Sequence, residues 1–278
     1  MIFARDKGRM CNNMLQFGHV YAWAREHDRS VMSMRFSYKY RYFAISSSRY
    51  ANAFLYVVVK YAAKLGLISE AKFQTEDCDS DALERRMLRH RHIVVSGWFC
   101  RWYDLFLKYR SEICSLFAMN EAITTSVRKR MAAAERATTG GRVRLGVHIR
   151  RGDYKNFCDG QYYYDDATYA AYIAAFARMM PDKTVEVFLS TNDAAVSAET
   201  ISALIPEPEV CVHLLGGNAA EDLYMLSECD YLIGPPSTYS LVAAMYRDIP
   251  LCRMDQTNSG NMSSEDFKLF DYWFRRIV

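Results

Sequence analysis

The chain has 278 residues, of which 51% are hydrophobic and 24% are charged, and its formal net charge is +3. These values are typical of a globular protein with one large or two medium domains, and they exclude a disordered or fibrous chain. Charged residues begin at Arg5, so we expect no signal peptide. The most apolar run, Ala51–Ile68, is interrupted by Lys60 and Lys64, which predicts an amphipathic helix and not a membrane span.

The eight cysteines are scattered along the chain, without a C-x-x-C pair or a Cys/His spacing typical of zinc sites. Several of them, such as Cys211 and Cys229, lie in apolar stretches, where a thiol packs as a small hydrophobic group. We therefore predict a reducing, cytoplasmic compartment and no structural metal.

The charge balance changes sign along the chain. Residues 1–140 hold 23 Lys and Arg against 13 Asp and Glu, whereas residues 141–278 hold 12 against 19. Basic blocks are typical of solvated helix faces. The alternative is peripheral attraction to an anionic membrane surface, at the inner face of the membrane, or to an anionic acceptor. Nucleic acid is not expected, because no recognisable binding module is present.

The first half of the chain predicts a short strand, a loop over Lys7–Asn13 and a helix that runs to about His27. Farther on, residues 92–96 predict a strand, and a helix is expected from Tyr103 through Phe117. Residues 131–141 are typical of a helix end that runs into a linker, and the charge balance changes at the same place. We therefore expect a domain boundary near residue 140.

The second half alternates predicted strands with predicted helices. The strands are expected at residues 142–149, 184–190, 209–214, 230–233 and 249–253. The helices are expected at about 165–180, 193–204, 219–228 and 237–247. This order is typical of βαβ units with a parallel sheet. We predict an α/β protein of two domains, 1–140 and 141–278, with a cleft between them.

The segment Val147–Tyr154, VHIRRGDY, carries the strongest functional pattern in the chain. The alternation before it predicts a strand that ends at Ile149, and it places His148 and Arg150 on the same side. Ligands of open α/β sheets bind beyond the carboxyl ends of the strands. With Arg151, these side chains form a cationic site suited to a phosphate or diphosphate. The alternative is an exposed strand end with a structural ion pair to Asp153.

Two turns lead from a predicted strand into a helix. The first contains Gly8 and Asn12, and its backbone N–H groups at the positive end of a helix suit an anion or a sugar. A plain helix cap is the alternative. The second contains Ser237 and Thr238, which can cap the helix and also belong to a diphosphate cradle, because the cap and the ligand use different donors.

Asp222 lies at the start of a predicted short helix, where a carboxylate complements the helix dipole. A carboxylate can also accept hydrogen bonds from both the ring N–H and the exocyclic amine of guanine, which other common bases do not offer together. Asn192 belongs to a polar run, Ser190–Asp193, that closes a predicted strand and offers contacts in the same crevice.

Asp77 and Asp79 have the D-x-D spacing that metal-dependent sugar transferases use to hold a nucleotide diphosphate. They precede an Arg-rich helix and lie in the other half of the chain from Arg150 and Arg151. We expect them to start that helix and not to bind a metal.

Together these motifs resemble those of the α-1,2-fucosyltransferase family, within the GDP-fucose-dependent α-1,2-, α-1,6- and protein O-fucosyltransferases. Val147–Tyr154 is similar to the family's H-x-R-R-G-D-Y motif, and Lys7–Gln16 is similar to its opening K-G-G-L-G-N-Q-M-F-Q. Ser96–Cys100 resembles its G-Y-[FW]-Q segment. Glu221–Ser227 and Ser237–Ser240 resemble its E-D-L-x-x-[ML]-S and S-T-F-S motifs. The resemblance spans nearly the whole chain in the family's order.

The resemblance implies a GT-B-like fold with two Rossmann-type domains and an inverting mechanism. It implies GDP-β-L-fucose as the donor, bound mainly by residues 141–278. By position, Arg150 would hold the diphosphate and His148 would contact the nucleotide. Asp222 would recognise guanine, and Ser237 with Thr238 would bind phosphate. The other expected donor-binding residues are Arg151, Asp153, Asn192, Gly8 and Asn12.

The acceptor is expected to be an oligosaccharide or a lipid-linked glycan, with O-2 of a terminal galactose as the attacked hydroxyl. Asp159 is the favoured general base, and no metal or other cofactor is expected. Two alternatives are a GT-B-like transferase that uses another GDP-sugar or acceptor, and a nucleotide- or glycan-binding protein that has lost catalysis.

Overall fold

The computed structural model describes residues 1–5, 8–34, 36, 40–138, 140–255 and 261–277. The chain divides into two compact units, Met1–Asn120 and Glu121–Val278. Their boundary therefore lies earlier than the expected position near residue 140. Within the described ranges, every helix is too short or too polar to cross a membrane.

The first unit contains a parallel sheet. Its described strands are β1 (Ile2–Arg5), β2 (Val31–Ser33), β3 (Ser69–Lys72) and β4 (Ile93–Ser96), in the order β2–β1–β4–β3. Its described α-helices are α1 (Met10–Glu26), α2 (Ala53–Lys64), α3 (Ser80–Arg89), α4 (Tyr103–Lys108) and α5 (Arg110–Leu116). The sequence did not predict β2 and β3, which are short strands at the two edges of this sheet. The single helix expected through Phe117 is two helices that meet at Tyr109.

Helix α1 is buried over almost its whole length, which agrees with its apolar side chains being spread around the helix and not gathered on one face. Its small residue Gly18 allows α4 to approach, because a Cβ at this position would lie 2.3 Å from the ring of Phe106. Trp23, fully buried, donates a hydrogen bond to Glu84 of α3 at 2.8 Å. These contacts fix the helix that follows the Gly8 turn.

The second unit contains a larger sheet. Its strands are β5 (Gly141–Ile149), β6 (Lys183–Thr191), β7 (Val210–His213), β8 (Tyr231–Gly234), β9 (Leu251–Arg253) and β10 (Phe267–Lys268). Its described α-helices are α6 (Glu121–Ala134), α7 (Asp166–Met179), α8 (Ala198–Ser202), α9 (Ala219–Ser227), α10 (Thr238–Arg247) and α11 (Phe270–Phe274). The five predicted strands are present within two residues of their expected bounds. The antiparallel edge strand β10 was not predicted.

Helix α8 is much shorter than the helix expected over residues 193–204. The first five of those residues form a turn, in which the Asp193 carboxylate accepts a hydrogen bond from the backbone N–H of Ala195 at 3.0 Å. The helix begins only after Ser197, whose side chain accepts from the N–H of Thr200 in a capping box. Local side-chain-to-backbone hydrogen bonds therefore replaced the first turn of the expected helix.

The sheet of the second unit has the order β10–β9–β8–β5–β6–β7. The chain runs outward from β5 through β6 to β7, and then returns to the other side of β5 for β8 and β9. The order therefore reverses between β5 and β8, and ligands of open α/β sheets bind at such a reversal. The register pairs His148 with Ser190 of β6, and Val147 with Ile233 of β8. The end of the VHIRRGDY strand thus lies at the expected ligand position.

Helix α6 belongs to the second unit for a physical reason. Its Arg128 pairs with Glu228 at 3.0 Å, and its Arg130 pairs with Glu221 at 3.1 Å, both around α9. Beyond its end, the backbone N–H of Arg136 donates at 2.8 Å to the fully buried carboxylate of Glu186 in β6. A buried carboxylate needs such donors, so residues after α6 are tied to this sheet.

Candidate functional site

His148 is buried at the end of β5, with 6% of its surface exposed. Its ring centroid lies 4.9 Å from that of Tyr239 in α10. Burial first, and the charge of Arg150 second, lower the pKa of His148 to about 3, so the ring is neutral near pH 7. Its Nδ1 has no hydrogen-bond partner among the described residues. Leaving such an atom unpaired costs about 1–3 kcal/mol, which a bound ligand can recover.

Arg150 follows β5 and is mostly buried, with 15% of its side chain exposed. Its Nε and Nη2 donate to the two carboxylate oxygens of Asp153 at 3.2 and 2.8 Å. Its guanidinium lies 4.4 Å from the ring centroid of Tyr154, and its Nη1 donates to Ser237 Oγ at 3.2 Å. The ion pair that the sequence allowed is therefore present, and it directs the remaining edge of the guanidinium toward the start of α10.

Ser237 is the N-cap of α10, and its hydroxyl accepts a hydrogen bond from the backbone N–H of Tyr239 at 3.2 Å. The N-terminus of a helix carries a partial positive charge, and here it lies beside Arg150. Thr238 is the first residue of α10. The hydroxyl of Tyr154 donates to the carbonyl of Pro236 at 2.5 Å, which fixes the turn before the helix. The arrangement concentrates positive potential at the reversal in the sheet.

Asp222 lies in the first turn of α9, but it is not the cap of this helix. Asn218 caps it, with its side chain accepting from the N–H groups of Ala220 and Glu221. The Asp222 carboxylate instead accepts from Ser190 Oγ at 3.2 Å. Burial raises the pKa of Asp222 to about 6, although the Ser190 hydrogen bond acts in the opposite direction. The polar run at the end of β6 and Asp222 therefore meet, beside His148.

Arg151 and Asn192 hold the loop together. Arg151 is 8% exposed, donates to the carbonyl of Tyr164 at 2.9 Å and forms an ion pair with Asp166. Its backbone N–H donates to Asn192 Oδ1 at 3.0 Å. Its Nη1 lies 3.8 Å from Oδ2 of Asp193. With two carboxylates around it, Arg151 fixes the backbone that presents Arg150.

The structure does not bring every expected site residue together. Asp159 is exposed, in a turn over Phe157–Gly160 with φ +54°, and no hydrogen bond joins it to the described residues around Arg150. Gly8 and Asn12 belong to the first unit, at the start of α1, where Gly8 has φ +95°. Lys7 of the opening motif lies outside the described residues.

Three site neighbours were missed by reasoning from the sequence. Tyr239 packs on His148 and donates its hydroxyl to the carbonyl of Ala219 at 2.8 Å, so it joins α10 to α9. Arg130 donates to the carbonyl of Gly216 in the loop before α9. Arg253 ends β9, and burial lowers the pKa of its guanidinium to about 10. A basic residue at the end of a predicted strand was the available signal for Arg253.

The D-x-D pair occupies a helix start, as expected. Asp79 is the N-cap of α3, and its carboxylate accepts from the N–H of Ala82 at 2.9 Å. Among the residues that the structure describes, no three His, Cys, Asp or Glu side chains are grouped as metal ligands would be. Transfer without a metal nevertheless remains a prediction.

The family described as Glycosyl transferase family 11 has a sequence profile that matches residues 6–273. The chain belongs to this family. The resemblance inferred from the VHIRRGDY, opening and C-terminal motifs is thus confirmed at the level of the family. No curated protein sequence matches this family 11 chain.

Solved fucosyltransferases share the fold of this family 11 protein. FUT1 of Arabidopsis thaliana, solved as a variant in complex with GDP, has a TM-score of 0.66 at 13% identity, over 96% of this chain and 73% of that one. POFUT1 in complex with GDP-fucose has a TM-score of 0.59 at 12% identity, over 89% and 94%. The α-1,6-fucosyltransferase NodZ, co-crystallised with GDP, has a TM-score of 0.54 at 14% identity, over 91% and 94%. The predicted GT-B-like α/β fold class is confirmed.

Proposed function

We propose that this protein transfers L-fucose from GDP-β-L-fucose to a hydroxyl group of a glycan, with inversion at the anomeric carbon. Its family and its fold support the proposal, since the solved relatives bind GDP or GDP-fucose. The observation that carries it is the meeting of His148, Arg150 and Ser237 where the strand order reverses. A neutral, unpaired histidine beside a guanidinium and a helix N-terminus suits a nucleoside diphosphate.

Each part of the donor substrate GDP-fucose that is discussed below has a proposed partner in the second unit. The Nη1 edge of Arg150, with the first N–H groups of α10 around Ser237 and Thr238, binds the diphosphate. The unpaired Nδ1 of His148 hydrogen-bonds the nucleotide. The carboxylate of Asp222 accepts both N–H donors of guanine. Asp153 and Arg151 act indirectly, because they hold the Arg150 side chain and its backbone.

The chemistry requires that the acceptor oxygen form a bond to the anomeric carbon while the bond to the β-phosphate oxygen breaks on the opposite face. The β-configured donor then gives an α-linked product. Negative charge grows on the leaving diphosphate, so donors aimed at it stabilise the transition state more than the ground state. The Arg150 guanidinium and the α10 N-terminus can supply this stabilisation. We therefore expect no metal requirement.

The acceptor side of the proposal follows from the family resemblance. We propose O-2 of a terminal galactose as the nucleophile and Asp159 as the base that removes its proton. An exposed carboxylate, such as that of Asp159, can exchange a proton with solvent after each turnover. If positive charge develops on fucose before the acceptor oxygen bonds to it, the acceptor hydroxyl loses its proton only after that bond has begun to form. A strong base is then unnecessary.

A transfer assay tests the proposal directly. The protein is incubated with either GDP-fucose or GDP-mannose and a panel of galactosides, with and without EDTA. Products are identified by mass, by the NMR coupling of the new anomeric proton and by long-range NMR correlations that locate the linked oxygen. We expect an α-1,2-linked fucosyl product whose rate is unchanged by EDTA. Transfer from GDP-mannose alone would favour another GDP-sugar. GDP binding without turnover on any acceptor would indicate a protein that has lost catalysis.

A further inference from the structure

Helix α2 of the first unit is apolar on two opposite sides. One side packs on the sheet, where Val59 is 1% exposed and Leu55 lies against the cluster of Phe3 and Met32. The helix expected in this apolar run is therefore present, over Ala53–Lys64. An apolar face of a helix is normally covered by another element or a partner.

The outward side of this helix forms an exposed apolar stripe. Its members, with the exposed fraction of each, are Phe54 (79%), Val57 (41%), Val58 (46%), Tyr61 (55%) and Leu65 (72%). Their spacing of three and four residues places them in one row along the helix. Leu67, just beyond the helix, is also exposed, at 75%. Contiguous patches of this kind on a protein surface mark a binding face.

Lysines border the stripe on one side. Lys60 and Lys64 are exposed and lie one turn apart, following Val57 by three and seven positions. The ammonium of Lys60 lies 5.6 Å from the ring centroid of Tyr61. From Arg29 to Ser69 the sequence has seven Lys or Arg and no Asp or Glu. The stripe therefore stands in a strongly cationic part of the chain.

We propose that the outward face of α2 binds the surface of an anionic lipid bilayer. Exposed aromatic and aliphatic side chains can enter the boundary between headgroups and acyl chains, while the bordering lysines remain at the phosphate level. A second copy of the chain fits less well, because a two-fold contact would bring the lysines of both copies together without a carboxylate on either helix. The proposal is independent of the proposed fucosyl transfer.

Vesicle flotation tests this surface with the whole 278-residue chain. Vesicles of phosphatidylcholine alone are compared with vesicles of phosphatidylcholine and phosphatidylglycerol in equal parts. We expect the protein to float only with the anionic vesicles and to be released by high salt. Phe54→Ser combined with Leu65→Ser should abolish flotation. Replacing Lys60 or Lys64 by Gln should weaken the partition coefficient about fivefold for each lysine.

Leu88→Ser is the matched control, since Leu88 is 52% exposed on α3 of the same unit and lies away from the stripe in sequence. It should float like the parent protein. Circular dichroism and thermal melting should be unchanged in all variants, because every substituted side chain is exposed. Three outcomes would overturn the proposal. They are equal binding to uncharged vesicles, full binding by the Phe54/Leu65 variant, and a parent dimer in sedimentation that this variant dissociates.

Discussion

At the scale of single residues, Arg150 illustrates how one side chain can have a structural and a chemical role. Asp153 binds its Nε edge, and Tyr154 lies under its plane. Both contacts are local to the VHIRRGDY segment, so they fix the rotamer without using the edge that faces Ser237. A guanidinium can serve both partners at once because its donors diverge in a plane.

Arg150→Lys should therefore lose most of the proposed activity. An ammonium has no planar fork, and it cannot reach Asp153 and the start of α10 together. We expect kcat to fall by about a hundredfold, which corresponds to the loss of about 3 kcal/mol at the leaving group. Arg178→Lys is the control, since Arg178 forms an exposed pair with Glu207 and should leave kcat unchanged. Near-parental turnover of the Arg150 variant would make Arg150 purely structural.

The carboxyl of Asp222 should make GDP binding depend on pH. Its pKa is raised to about 6, so the carboxyl is increasingly protonated in the unliganded protein below that pH. A protonated carboxyl cannot accept both N–H donors of guanine. The affinity for GDP should therefore weaken by up to about tenfold for each pH unit below about 6.

Calorimetry of GDP and ADP across this range isolates the effect, because both ligands carry the same titrating diphosphate. Titration of the diphosphate changes both affinities alike, so a change of their ratio with pH reports the base-recognising carboxylate. Asp222→Asn should weaken GDP binding by about 1–3 kcal/mol and make that ratio independent of pH. If the ratio of GDP to ADP affinity stays constant with pH in the parent protein, Asp222 does not recognise guanine.

At the scale of elements, the turn after β4 depends on Gly97. This residue has φ +113°, and a Cβ there would lie 1.9 Å from the carbonyl oxygen of Phe73. That carbonyl accepts a hydrogen bond from the N–H of Phe99 at 3.1 Å, so it cannot move away without loss. The SGWFC segment therefore has a clear structural reason for its glycine.

Gly97→Ala should destabilise the protein by about 3 kcal/mol or more, from the steric overlap together with the left-handed backbone. Gly66→Ala is a matched control, because Gly66 has φ +73° but open space around its position. The control should cost only the backbone term, about 1–2 kcal/mol. Urea unfolding of both variants measures the difference. Equal destabilisation would mean that the turn relaxes around the added methyl group.

At the scale of the whole molecule, the two compact units divide after Asn120. Ile123, Val127 and Met131 are the buried side chains of α6, and they belong to the second unit. The same helix supplies Arg130 to the loop before α9, close to Asp222. A helix that the sequence assigned to the first domain thus supports the candidate donor site.

Two fragments test this division. Residues 121–278 should unfold cooperatively and bind GDP. Residues 141–278 lack α6 and the N–H of Arg136 that donates to buried Glu186, and should fail to fold. The shorter fragment loses three buried apolar side chains, each of which contributes about 1.5–3 kcal/mol to the free energy of unfolding. The sum is close to the whole free energy of unfolding of a small domain. If the shorter fragment melts cooperatively and binds GDP as tightly as the longer one, the domain boundary lies near residue 140.

The sequence alone determined the elements that carry strong local patterns. The strand that leads into VHIRRGDY and the four predicted strands after it are present, because each is an alternating or apolar run bounded by polar residues. The family and the fold class also followed from the motifs and their order. The pairing of Arg150 with Asp153 was visible as well, since the two residues are three positions apart.

Only the tertiary structure decided the features that depend on distant residues. The edge strands β2 and β3 owe their existence to pairing with β1 and β4, which sequences of three or four residues do not signal. The environment of Asp222 depends on Ser190, and that of His148 on Tyr239, across different elements. Burial sets the pKa values of both side chains, and no local pattern reports burial by remote strands and helices. The sequence thus named candidate residues, and packing assigned their surroundings.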